Sequence, residues 1–379
     1  MITPRELVRA AMRREVTGRI PVVPNLTRDM ATRVYADEGG GDWLDTYQQC
    51  LENPALSYDL LIRLVREAGC DGLRLFPRAE PIAIERLGDR LIAYDESTNE
   101  RLGVIDTYGG GYVVPDKPLP PIDNLGEARS RLQQMVAEFS DKKLERIRRA
   151  REKVPDLWVS SSAFGVCMNT YTVLRGRQQA YLDLYERPAF VHAVMDLQVE
   201  AAIEAGERLL TTGIDAIRTG GASSSNDLIS PRHFEQFCLP AERQFVNHFR
   251  HKCLTYICIP GKSDLILEML ADTGAHMIEP LDPLGGVSVA DAKRRVGHRA
   301  ALMGGVNTLT LAQGTPDQVR AECTGKCREG GPSGYVLGVG DMVPADTPLR
   351  NLRAMVDVAT KSLWKPTSGH RPHTGAPGD

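Results

Sequence analysis

The chain has 379 residues, of which 42% are hydrophobic and 25% charged, with a formal net charge of −3. That apolar share furnishes a large core, and the length accommodates two domains or one α/β barrel with insertions. Near-neutral charge gives no electrostatic footprint for nucleic acid or an anionic membrane surface.

No apolar run approaches the ~18 residues of a spanning helix. The first residues, MITPRELVRAAMRRE, lack the apolar stretch of a signal peptide, so a cytoplasmic enzyme is the expectation. They read as a helix with Thr3 as N-cap and Pro4 in its first turn. RIPVVPN, residues 19–25, is the expected strand one. LTRDMATRVYADEGG, polar and interrupted by glycine, is expected to be a mobile loop over a barrel mouth. A leucine-rich helix over 54–67 then leads to CDGLRLF, residues 70–76, strand two.

Residues 78–125 break this rhythm. LIAYDES, a turn at Thr98-Asn99-Glu100, and RLGVIDTYGGGYVV alternate apolar and polar residues, which predicts antiparallel hairpins inserted into one domain. A charged helical pattern over 127–151 precedes LWVSSS, residues 157–162, strand three. The loop AFGVCMNTYTVLRG runs into a long helix through DLYERPAFVHAVMDLQVEAAIEAGERLL. Strand four is IDAIRTGG (214–221), five is LTYIC (254–258) and six is HMIEP (276–280). Seven is RAALMGGVN (299–307) and eight is GYVLGVG (334–340).

Eight β-like runs with helical intervals predict a (β/α)8 TIM-type barrel with a β-hairpin insertion after strand two. An open doubly wound sheet is the rival, but no GxGxxG or Walker-type loop supports a nucleotide fold. Residues 1–364 form the expected single domain and 365–379 a flexible tail, whose His370 and His373 resemble a metal pair only superficially.

Active sites of such barrels lie at the C-terminal ends of the strands. Three strand ends carry groups able to bind a metal or move a proton: Cys258, the acids Glu279 and Asp282 around Pro280, and Asp341 after Gly340. Asn25 and Asn307 end strands one and seven and are candidates to line the pocket. Gly304 and Gly305 suit a close backbone approach. His276 lies at the opposite end of its strand, and His233 on a solvated helix, so both read as structural. The eight cysteines include no CxxC pair, so most are expected as buried fillers; Cys323 and Cys327 share a helix face without a third ligand nearby.

Several landmarks, in order over residues 1–363, resemble the uroporphyrinogen decarboxylase superfamily. They are RIPVVP, LRG followed by DLYERPAFVHAVMD, LISPRHFEQFCLP, GGVNTLTLAQGTPDQV and VGDMVPADTPLRNLRAMV. That superfamily includes zinc-dependent methyltransferases acting between corrinoid proteins and thiols or tetrahydrofolate. Their zinc motif is His-x-Cys after strand five plus a Cys after strand eight; here the positions read Tyr256-Ile257-Cys258 and Asp341. The resemblance therefore implies zinc held by Cys258 and Asp341 and completed by Glu279 or His276, proton handling by Asp341, Glu279 and Asp282, and substrate contacts from Tyr256 and Asp282. Because strand side chains alternate, Tyr256 faces the same way as Cys258, and its hydroxyl is expected on Asp341 or Glu279.

The decarboxylase branch works without a cofactor, through N-terminal arginines, an Asp after strand two, a Tyr after strand three and a His after strand eight. Arg28 and Arg33 lie in the matching segment and Tyr171 matches the tyrosine, whereas Pro77 and Asp341 replace the Asp and the His. The implied activity is transfer of a methyl group between a corrinoid protein, or a small methylated donor, and a thiol or folate-type acceptor. The alternative is a cofactor-free decarboxylase or C–C lyase, with Tyr171 and Asp341 as proton donors and Arg28 holding a carboxylate. A barrel that has become a binding subunit is the third class, and a homodimer remains open.

Overall fold

The computed structural model describes residues 2–39, 41–77, 82–95, 97–107 and 112–362. The expected tail at 365–379 lies outside them, as do 78–81 and 108–111 in the hairpin region.

The chain opens with α1 (Pro4–Met12), where the Thr3 hydroxyl accepts from the Glu6 N–H and the Glu6 carboxylate accepts from the Thr3 N–H. Helices α2 (Arg28–Gly39), α3 (Trp43–Glu52) and α4 (Pro54–Ala68) follow. The expected mobile loop is therefore a helix. Met30, Ala31, Val34 and Tyr35 recur at helical spacing and are buried or half-buried, a stripe that the charged residues between them conceal in the sequence.

Seven strands form one parallel sheet: β1 (Gly72–Arg74), then β6 (Trp158–Ser162), β7 (Ala216–Thr219), β8 (Leu254–Cys258), β9 (Met277–Leu281), β10 (Ala301–Val306) and β11 (Tyr335–Val339), hydrogen-bonded in that order. The expected strand one is not a regular strand. Pro21 and Pro24 have no N–H to give to a ladder, so residues 20–25 make only isolated pairings, Val22 with Leu337 and Asn25 with Met342. This segment still bonds to both ends of the sheet. Val23 N–H donates to the Leu337 carbonyl at 3.0 Å, and Asp71 N–H, beside β1, donates to the Val22 carbonyl at 2.8 Å. The Asp71 carboxylate accepts the Val22 N–H at 2.8 Å and is held by Arg19, so a side chain supplies what the broken ladder lacks.

Between β1 and β6, β2 (Ala83–Leu87), β3 (Arg90–Tyr94), β4 (Arg101–Ile105) and β5 (Val113–Pro115) form a separate four-stranded antiparallel sheet. Gly88, at φ 63°, makes the tight β2–β3 turn. Leu91, Ala93 and Ile105 pack on Leu44, Tyr47 and Leu51 of α3. The helical region after it is more broken than the sequence suggests. Ser140 separates α5 (Leu125–Ala137) from α6 (Asp141–Glu152) and caps the latter. Residues 168–175, expected as part of a loop, form α7 (Met168–Arg175); Gly176, at φ 79°, separates it from α8 (Arg177–Glu186), and Pro188 begins α9 (Pro188–Leu210) where one long helix was expected.

Alternation along the parallel strands sorts the core into two layers. Outward residues such as Val159, Ile217, Ile257, Ile278 and Leu337 meet the surrounding helices. Inward residues Trp158, Ala216, Leu254, Tyr256, Met277, Ala301, Met303 and Val336 form a second cluster, with Val8, Ala11 and Met12 of α1 beneath. Asp215 fastens α1 there by accepting from Arg5 at 2.6 Å while capping the Val159 N–H at 3.0 Å. Among the described residues no helix is long and apolar enough to cross a membrane.

Candidate active site

Toward the C-terminal ends of the strands the inward column turns polar. Arg74 on β1, Ser160 on β6, Arg218 on β7, Tyr256 and Cys258 on β8, and Glu279 on β9 take the place of the apolar residues below them. Cys258 and Glu279 are register partners on adjacent strands. Arg74 Nη2 donates to Glu279 Oε1 in an ion pair whose members are 3% and 4% exposed. Glu279 Oε2 and Arg74 Nε and Nη1 are buried without a hydrogen-bond partner.

Arg218 is half-buried, lies 5.7 Å from the Phe76 ring centroid, and has no hydrogen bond or ion pair among the described residues. Burial works against its charge; the fields of Cys258 and Tyr256 nevertheless leave it raised. Burial pushes the Cys258 thiol up to about 12, although Arg218 and Arg74 pull the other way. It is a protonated thiol at neutral pH.

Tyr256 departs from expectation. Its hydroxyl shares a hydrogen bond of 2.9 Å with Ser160 Oγ instead of a carboxylate, because Arg74 has already claimed Glu279 and Ser160 stands nearer across the interior. Burial raises the phenol to about 12. Asp341 follows β11 and is exposed; desolvation raises its pKa, and the Asp282 and Glu279 carboxylates add to this. It opens onto a cavity of about 350 Å³ lined also by Thr27, Asp29, Arg33 and residues 342–346.

The remaining candidates divide. Asp282 is 9% exposed, accepts the Leu284 N–H at 2.9 Å, and is raised by burial. Gly340 leaves room for it, since a Cβ there would lie 2.6 Å from its Oδ1. Asn307 does not line a pocket through its amide: its Oδ1 caps the next helix by accepting the Leu309 N–H at 2.8 Å, the usual use of Asn at that position. Asn25 contributes backbone, its carbonyl accepting the Val343 N–H at 3.0 Å. Arg28 is buried, with Nη2 donating to the Tyr47 hydroxyl at 3.0 Å. Tyr171 is buried away from the inward column. Its hydroxyl donates to Asp183 at 2.7 Å, an acid also gripped by Arg175; the tyrosine lies within α7, not in a loop after β6. His276 accepts the Thr255 N–H at 3.1 Å, a structural role as expected. Gly304, at φ 127°, lets β10 approach Leu281, where a Cβ would come within 2.5 Å of its nitrogen.

Sequence reasoning missed Arg74, Arg218 and Ser160. The signal was present: an arginine inside each of the buried strands GLRLF and AIRTG is costly unless it does something.

The donors do not fit zinc. Among the described residues no three of His, Cys, Asp and Glu gather in a way that could hold an ion. Cys258 lies in the field of two guanidinium groups, Glu279 is paired to Arg74, and Tyr256 is bonded to Ser160.

The model of the family described as uroporphyrinogen decarboxylase (URO-D) matches residues 113–362. The chain belongs to this family. Among its relatives, the methylcobamide:CoM methyltransferase MtaA of Methanosarcina barkeri strain Fusaro is 30% identical over 215 residues, 56% of this chain and 61% of that protein. The uroporphyrinogen decarboxylase of Aliivibrio salmonicida is 28% identical over 229 residues, with the same coverage. The chain thus spans about three fifths of the length of these curated relatives. A solved methyltransferase from Methanosarcina mazei shares the fold at a TM-score of 0.72 and 22% identity, over 95% of this chain and 99% of that one.

Proposed function

We propose that this member of the family is a methyltransferase whose chemistry occurs where Cys258 and Glu279 stand as register partners on adjacent strands, beneath Asp341. The supporting observation is the likeness to MtaA together with a polar inward column at the strand ends. On this reading the seven strands and the 20–25 segment make one (β/α)8 barrel. Residues 1–364 are its domain and the four-stranded sheet is an insertion in it.

The acceptor, a thiol or folate-type group, enters past Asp341. Asp341 takes its proton, a task suited to a carboxylate whose affinity for protons is raised. The deprotonated atom then attacks the methyl carbon in line. A bond to carbon forms, the bond from carbon to the donor breaks, and its electron pair stays with the donor. Pinned by Arg74, Glu279 fixes charge instead of shuttling protons. Cys258, protonated and packed at the strand end, closes the wall beside the reacting atoms. The donor we infer is a corrinoid carried by a partner protein, or a small methylated compound, in the cytoplasm.

A second reading, decarboxylation or C–C cleavage of a small carboxylate, is favoured by one observation: the inward column holds two arginines and no zinc donor set. Incubation with methylcobalamin and a thiol separates the two. Spectral loss of the methyl–cobalt bond, slowed at least tenfold in Asp341→Asn, supports methyl transfer. No demethylation, with CO2 released from a supplied carboxylate, selects the lyase.

A further inference from the structure

Arg74 and Arg218 converge on one level of the barrel interior and are not neutralised there. Glu279 answers Arg74 through a single nitrogen and oxygen, while Arg74 Nε and Nη1 and Glu279 Oε2 stay unpartnered although buried. Buried polar atoms in native proteins nearly always have partners, and an unmet one is costly. Three of them in one ion pair, beside a half-buried arginine with no hydrogen bond or ion pair among the described residues, mark a place that a ligand completes. At this level two guanidinium groups face one carboxylate, with the Cys258 thiol neutral beside them and Asp341 above at the rim. The floor beneath is apolar, formed by Trp158, Met277 and Met303, so a charged group entering from the mouth stops at this level.

We infer that Arg218 and an unpartnered nitrogen of Arg74 form a clamp for the carboxylate of a small substrate, while Glu279 Oε2 accepts from a hydrogen-bond donor on the same molecule. A planar guanidinium meets a carboxylate through two parallel bonds, which a point charge cannot match. The ligand class is therefore a short carboxylate bearing a thiol or hydroxyl, its other end directed toward Asp341. The clamp deepens the methyl-transfer reading by naming the acceptor's charged end, and it rests on that reading only for the reaction.

Ligand-observed NMR titration of the full chain tests it with propionate and its neutral analogue propionamide. Wild type should bind propionate and not propionamide. Arg218→Gln should weaken propionate about tenfold or more, and Arg218→Lys by less, because it keeps the charge and loses the fork. Equal binding of the two probes by wild type overturns the clamp and requires no variant. So does unchanged propionate binding by a folded Arg218→Gln protein. A paired assay with methylcobalamin compares 3-mercaptopropionate with 2-mercaptoethanol. Discrimination between propionate and propionamide without any demethylation supports the clamp and removes methyl transfer. Methylation of both thiols at equal KM overturns the clamp and leaves methyl transfer standing.

Discussion

Arg74 and Glu279 lie 205 residues apart in sequence and meet as a buried ion pair across the interior of the parallel sheet. The register that brings β9 beside β8, and the stagger that carries β1 round to face it, put opposite charges where an apolar core would otherwise continue.

Removing one member of this pair strands the other. Arg74→Met or Glu279→Gln is expected to cost about 3–5 kcal/mol, as for other buried pairs that lose one partner. Replacing both by leucine should recover most of that loss, because the desolvation cost of two charges goes with them. Urea unfolding of the two single variants and the double variant measures it. A double variant no more stable than the worse single one would refute the account.

Glu242 offers a pH test remote from the inward column. It is fully buried behind β7 and accepts from Thr219 Oγ1 at 2.6 Å, while its Oε1 has no hydrogen-bond partner. Burial raises its pKa from 4.5 to about 8. Between those values the folded chain holds a proton that the unfolded chain has released, so this group's contribution to stability falls as pH rises from 4.5 to about 8 and is level above. Glu242→Gln should abolish that part of the slope and be the more stable protein at pH 8, by the order of a few kcal/mol. Unfolding midpoints across this range, with the two slopes identical, would sink it.

Tyr171 shows what a motif match leaves open. Its match to a motif tyrosine said nothing of which way a helix would turn it, and Arg175 with Asp183, only four and twelve residues on, already form a closed network with it. Tyr171→Phe is therefore expected to lower stability by about 1 kcal/mol, through the lost hydrogen bond, and to leave KM unchanged. A raised KM in a folded variant would return it to the site.

The strands themselves were legible. Runs buried on both faces are nearly continuous apolar stretches, so LTYIC and GYVLGVG announce their positions, and Cys258 ends β8 as expected, whereas β9 runs two residues past Glu279 and β11 stops two residues before Asp341. What was hidden depends on partners far along the chain. RIPVVPN reads as a strand, but its prolines and the Asp71 side chain decide how it pairs. Asn307 ends a strand and also begins a helix, and the helix claims its amide. The destination of the Tyr256 hydroxyl required knowing that β6 would bring Ser160 across the interior and that Arg74 would take Glu279 first.

That last arrangement fixes the expected outcome of restoring the family's histidine. Tyr256→His places an imidazole two residues before Cys258 on the same face of β8, as a His-x-Cys pair requires. Tetrahedral zinc then needs two more donors. Glu279 is engaged by Arg74, Asp341 is exposed at the rim, and Arg218 is the register partner of residue 256 and holds a positive charge beside any incoming cation. Burial further holds the Cys258 thiol protonated up to about 12, so binding must also displace a proton. We expect Tyr256→His to take up no more zinc than wild type, and Tyr256→His with Arg218→Ala and Asp341→Cys to take up about one equivalent. Elemental analysis after dialysis, alongside unfolding midpoints with and without chelator, reads both. Stoichiometric zinc in the single variant would mean that the arginines yield to the metal and that the donor set is closer to complete than the geometry indicates.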